Sequence, residues 1–166
     1  MKKTLLVFCI ALTFLSCGDS TQTKAIKDQN EAQAIIKSMQ PGRIATKEGE
    51  WTMTMKLNGK DWVASSMVQP DANDMIIGYK GEESVRLPYY KNDMKVGSKV
   101  KFGEYHAADL FTDDEVGIWG GRKGEMEITK VENGWAEGKF FFTATAGGTD
   151  KQMEVTDGFF RIAIAK

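Results

Sequence analysis

The sequence predicts an all-β domain, an antiparallel β-sandwich or barrel of about ten short strands. Three observations carry that prediction. Apolar and polar residues alternate with period two in several short runs, as half-buried strands require. Asn58-Gly59 and Asn133-Gly134 each lie between such runs, and Asn-Gly is the strongest short hairpin signal because both turn residues take positive φ. The chain also holds 17 glycines, which suits a fold with a turn every few residues.

Taken in order, Trp51, Met53, Met55 and Leu57 alternate with Thr52, Thr54 and Lys56, and Trp62, Ala64, Ser66 and Val68 form the return strand beyond Asn58-Gly59. By this period Trp51 and Trp62 belong to the core. Pro70-Asp71-Ala72-Asn73-Asp74 is turn chemistry. Met75–Lys80 and Ser84–Tyr90 are the next strands, and Asn92–Gly97 is a turn before Val100–Tyr105. Ala107–Glu115 reads as a longer acidic loop, and Val116–Trp119 as a short strand ended by Gly120-Gly121. Met126 and Ile128 mark a strand that turns at Asn133-Gly134 into a partner with Phe140, Phe142 and Ala144 inward. Met153–Thr156 and Phe159–Ala165 close the domain, with Phe160, Ile162 and Ile164 inward and Asp157-Gly158 as a turn or bulge. The connections are short, so neighbours should pair antiparallel. The many methionines (Met53, Met55, Met67, Met75, Met94, Met126, Met153) read as gap-filling core.

The domain, residues 50–166, is preceded by three segments of different texture. Lys2 and Lys3 followed by the apolar run Leu5–Leu15 form a secretory signal over residues 1–16, too short for the roughly 20 apolar residues of a membrane span. Phe14-Leu15-Ser16-Cys17-Gly18 resembles a lipobox, the signal for lipidation of the cysteine and cleavage before it. Phe14 stands where leucine is more usual. Cys9 leaves with the signal, so a single cysteine remains; lipidation of Cys17 accounts for it and excludes an intramolecular disulfide. Residues 17–24 are a polar lipidated tether, and residues 25–40 are helix-friendly, ending at Pro41-Gly42, a short helix or spacer.

The lipobox, the tether, Met-x-Leu-Asn-Gly-Lys-x-Trp (Met55–Trp62), Gly-Lys-Phe-x-Phe-Thr-Ala (Gly138–Ala144) and Val-Thr-Asp-Gly-x-Phe (Val155–Phe160) occur in that order. Together they resemble a family of small Bacteroidota lipoproteins with an all-β domain of unknown function, over Thr52 to the end of the sequence. The resemblance implies an all-β fold and a cell-envelope location, lipid-anchored in the outer membrane on its periplasmic or surface face. It carries over no catalytic residues.

Charge excludes some partners. With 22 basic and 23 acidic residues there is no basic patch for nucleic acid or polybasic stretch for anionic lipid. Catalytic signatures are absent: His106 is the only histidine, and no Gly-x-Ser-x-Gly elbow is present. Metal chemistry has weak candidates in His106 with Asp113, Asp114 and Glu115, and Glu104 and Asp109 stand close by. Closed zinc sites want more Cys and His than this. Calcium fits carboxylate loops better, yet the Asp71-x-Asn73-Asp74 run places Met75 and Ile76 where a calcium loop wants Asp or Asn and then Gly. No cofactor is therefore assigned. Binding chemistry points to aromatics near strand ends: Tyr89, Tyr90, Tyr105, Trp119 and Trp135 are the candidate platform for a protein or a sugar. The sequence reading is thus a membrane-anchored, non-enzymatic interaction or accessory module whose partners are the membrane, through the lipid on Cys17, and an envelope protein. A small-ligand or glycan-binding lipoprotein is the second reading, and a hydrolase using paired carboxylates the third.

Overall fold

The computed structural model describes residues 42–70, 74–103, 105 and 107–164, all within the compact unit Pro41–Lys166. The export signal, Cys17, the tether and the expected helix lie outside the described residues, as do Asp71, Asn73, Glu104 and His106. No helix among the described residues is long and apolar enough to cross a membrane.

The strands are β1 (Arg43–Ala45), β2 (Thr52–Leu57), β3 (Lys60–Val63), β4 (Ser66–Val68), β5 (Met75–Lys80), β6 (Glu83–Pro88), β7 (Lys99–Phe102), β8 (Ala108–Phe111), β9 (Ile118–Glu132), β10 (Trp135–Ala146) and β11 (Gln152–Ala163). A 3-10 turn, Lys91–Asp93, lies between β6 and β7. Every ladder is antiparallel.

Three pairs of short strands are halves of longer staves. β1 and β2 run along one edge of the Lys60–Val68 segment, with Ala45 opposite Ser66 and Thr54 opposite Val63. The amide of Thr46 continues that edge by donating to the Ser65 carbonyl at 3.1 Å. β3 and β4 are the two parts of Lys60–Val68 itself, and β4 pairs on its other side with β5. β7 and β8 follow one another along β9, with Phe102 opposite Gly124 and Ala108 opposite Gly121. Joining the three interrupted pairs reduces the eleven strands to eight staves, each bonded to the next in sequence. β11 then returns to β2, with Arg161 opposite Thr52, so the meander closes on itself as a barrel.

An eight-stranded barrel has an interior just wide enough to be filled by side chains or to hold one small ligand. Here it is filled. Met53, Met55, Trp62, Met67, Ile76, Leu87, Leu110, Met126, Phe140, Phe142 and Phe160 are all buried in one cluster. Three rings press against backbone that has no side chain. A Cβ on Gly138 would stand 2.3 Å from Phe160, one on Gly121 2.5 Å from Phe142, and one on Gly158 2.6 Å from the Phe140 ring. These glycines are the space the rings occupy. The Phe140 and Phe142 rings themselves stack at 6.3 Å.

The hairpins form as the sequence predicts. Asn58 and Asn133 have φ near 50° and are followed by Gly59 and Gly134 at positive φ, the geometry of a two-residue primed turn. Asp157-Gly158 is a bulge, with the register slipping between Thr156 and Phe159. Other expectations are corrected. Gly120-Gly121 does not end a strand: β9 runs through it, because the missing side chain at Gly121 admits Phe142. The expected acidic loop contains β8, and β1 forms just after Pro41-Gly42, where no strand is expected. Strand β7 stops at Phe102 rather than at Tyr105. Met67, not Ser66, turns inward, because the phase slips by one residue where the stave passes from β3 to β4.

Candidate functional site

With the interior occupied, binding chemistry must be sought on the outside of the wall. Across β9, β10, β11, β2 and β3 the register sets Glu127, Lys139, Phe159, Thr54 and Val63 side by side. Phe159 is half-buried, and Val63 is 56% exposed. Phe141 stands two residues beyond Lys139 on the same face of β10 and is also 56% exposed. Neighbouring staves are about 4.8 Å apart, so the three apolar side chains span roughly 15–20 Å of wall.

A groove of about 480 Å³ runs beside Phe141, lined by Glu125, Glu127, Lys139, Thr156 and Asp157. Its rim is charged. Lys99 bonds Glu125 at 2.9 Å and Glu127 at 3.2 Å, and Lys56 reaches Asp157 at 3.4 Å. The bond to Glu125, then that to Glu127, holds the Lys99 ammonium above its ordinary range. A second groove, about 450 Å³, lies between Phe159, Val63 and the loop joining β1 to β2.

That loop is fastened at several points. Lys47 N–H donates to the Trp51 carbonyl at 3.0 Å, and Thr46 Oγ1 donates to the Ala64 carbonyl at 2.8 Å. Arg161 does most of the fastening: its Nε donates to the Gly49 carbonyl at 2.9 Å, its Nη1 pairs with Glu137, and its guanidinium covers the Trp135 ring at 4.9 Å. Trp135 in turn meets Trp51 edge to face at 6.1 Å. Replacing Arg161 by alanine leaves Glu137 and the Gly49 carbonyl without their donor and should cost about 1–3 kcal/mol. Denaturant titration reads that loss, and amide exchange should rise first in residues 46–51. Lysine at this position should recover little, because one ammonium cannot stack, pair and reach Gly49 together.

The aromatics expected to form a platform are not gathered into one. Tyr89 and Trp119 are buried in the core, Tyr90 and Trp135 are half-buried against it, and Tyr105 is 88% exposed between β7 and β8. Trp119 pairs with Ala146 at the far end of β10 from Trp135. At about 3.3 Å per residue the two indoles stand on the order of 30 Å apart. The outward aromatic that matters, Phe141, was legible: in Phe140-Phe141-Phe142, two inward rings leave the middle one facing out.

The acidic loop closes as a turn around Asp114. Asp114 Oδ1 accepts from Thr112 Oγ1 at 2.8 Å, from the Val116 amide at 3.0 Å and from the Gly117 amide at 3.1 Å. Thr112 Oγ1 also accepts the indole N–H of Trp119 at 2.9 Å, which ties the turn to the core. Among the described residues, no three His, Cys, Asp or Glu side chains stand close enough to hold a metal ion.

The Thr112 bond first, and then the Gly117 amide, depress the Asp114 carboxyl below its ordinary value of 3.8. A depressed folded value means the turn's contribution is present above the unfolded pKa and disappears as pH falls through the lower, folded one. A carboxyl-detected NMR titration should therefore show Asp114 ionised below pH 3.8, with the Thr112–Gly117 amides shifting in the same step. A midpoint at or above that value would mean the turn does not hold the carboxylate.

Fold and wall together define an antiparallel meander barrel with a filled interior and an aromatic, charge-rimmed outer face. No family model, curated protein or solved structure matches the chain.

Proposed function

We propose that the chain is a lipid-anchored, non-enzymatic module of the bacterial cell envelope that docks a protein partner on the outer wall around Phe141, Phe159 and Val63. One observation carries this reading: the barrel interior is occupied by the chain's own rings, while large apolar side chains face outward beside grooved, charge-rimmed surface. Exposed aromatics inside a polar rim are the anatomy of a docking face. The anchor belongs to the proposal too. Several acyl chains on Cys17, at about 0.8 kcal/mol per buried methylene, would hold the protein firmly in the outer membrane.

The test is in-cell crosslinking followed by purification of the tagged, lipidated protein. A stoichiometric protein should be captured by the wild type, not by the unanchored Cys17→Ala form. Capture should fall at least about tenfold in a Phe141→Ser, Phe159→Ser double variant that keeps the wild-type circular dichroism. Undiminished capture by the double variant removes the wall from the reading.

A further inference from the structure

Further along the outer face of β10, toward its C-terminal end, the register sets Arg86, Asp109, Gly120 and Thr145 in one outward row across β6, β8, β9 and β10. The row runs through a trench of about 730 Å³, walled by Asp109 and Thr145, with Ile118 and Arg122 at its ends and Asp150 on the β10–β11 turn above it. Gly120 is its floor. A Cβ there would meet only Arg122 Nε, at 3.8 Å, so the glycine leaves open space rather than making room for a neighbour.

The cross-strand pair at the head of the row is unmade. Arg86 stands directly opposite Asp109, yet its guanidinium lies over the Phe111 ring at 4.0 Å, and its Nε is buried without a hydrogen-bond partner. Asp109 is half-buried, and its carboxylate takes part in no hydrogen bond or ion pair among the described residues. A half-buried carboxylate without a partner beside a guanidinium that turns away calls for an explanation. A ligand that donates to Asp109 supplies one.

We propose that this trench is a binding site for a neutral, polyhydroxylated ligand, a saccharide, seated over Gly120. The trench lining carries two carboxylates, Asp109 and Asp150, and one guanidinium, Arg122, while Arg86 is turned away over Phe111, a balance that disfavours an anionic ligand. A pair of neighbouring sugar hydroxyls can donate to both oxygens of Asp109, and the Thr145 hydroxyl can give or take a further bond. Ile118, 59% exposed, offers an apolar edge for the face of a pyranose ring. The site shares no residue with the docking wall, so the two readings fail separately.

An array of immobilised neutral oligosaccharides tests the proposal, followed by titration in solution with the best-retained one, with spermidine as the cationic control. The wild type should retain at least one neutral glycan. Gly120→Leu fills the floor in space the fold leaves open, so it should fold normally and lose binding by at least about tenfold. Asp109→Asn should weaken binding by a similar factor, and Phe141→Ser should leave it unchanged. The proposal is overturned if no neutral glycan binds up to about 10 mM, if spermidine alone binds, or if a folded Gly120→Leu protein binds as well as wild type.

Discussion

Phe160→Ala should strongly destabilise the barrel, losing about 3–5 kcal/mol in urea titration. Phe160 is fully buried, leans on Phe140 at 6.4 Å and covers Gly138, so its removal leaves a void bounded by backbone on one side. A glycine backbone has no side chain to swing into that void, and the space cannot collapse without bending β10 against β11. The cavity cost should therefore sit near the top of the range. A loss below about 1.5 kcal/mol would mean that the ring is not wedged between the staves.

The complementary change is to fill the same space from the other side. Gly138→Ala puts a methyl 2.3 Å from Phe160 Cζ and 2.8 Å from the Glu127 carbonyl. One obstacle is a ring tip and the other is main chain, so the ring must leave its rotamer or the β9–β10 ladder must part. Overpacking of this kind costs about 1–3 kcal/mol, and Gly138→Val should cost more. Gly120→Ala is the internal control: its Cβ enters open space, and its effect should stay within roughly 0.5 kcal/mol. If the two alanine variants lose equal stability, the contrast between a packing glycine and a surface glycine is wrong.

That contrast also explains what the sequence could and could not reveal. Local signals were legible wherever a residue's own conformation decides the outcome. Asn58-Gly59 and Asn133-Gly134 turn because of their own φ values, and Trp51 and Trp62 fall inward by strand period. Gly120-Gly121 misleads because two adjacent glycines look like a break, whereas the reason for Gly121 is Phe142, which lies in the next strand. Strand β8 escapes notice because Ala-Asp-Leu-Phe is short and has no β-branched residue; its strand state comes from β6 and β9 on either side. The candidate sites suffer in the same way. Trp119 and Tyr89 carry the right chemistry for a platform, but the face that Trp119 occupies is decided by the register slip at the Thr143–Ala144 step of the β9–β10 ladder. The trench over Gly120 has no local signature at all, since Asp109, Gly120 and Thr145 meet only through two ladders.

Closure of the wall by β11 against β2 makes the final strand the keystone of folding. Asn58 Oδ1 accepts from the Glu154 amide across 96 positions of sequence, and Arg161 bonds Gly49 across 112. A nascent chain therefore cannot complete its barrel until its last strand has been synthesised, and contacts of such high order form slowly. Until then β2 and β10 present unsatisfied edges that invite pairing with other chains. For the exported lipoprotein proposed above, such a late lock would keep the chain threadable until β11 is in place. The same lock makes any cut within β11 a loss of the whole barrel rather than of its tail.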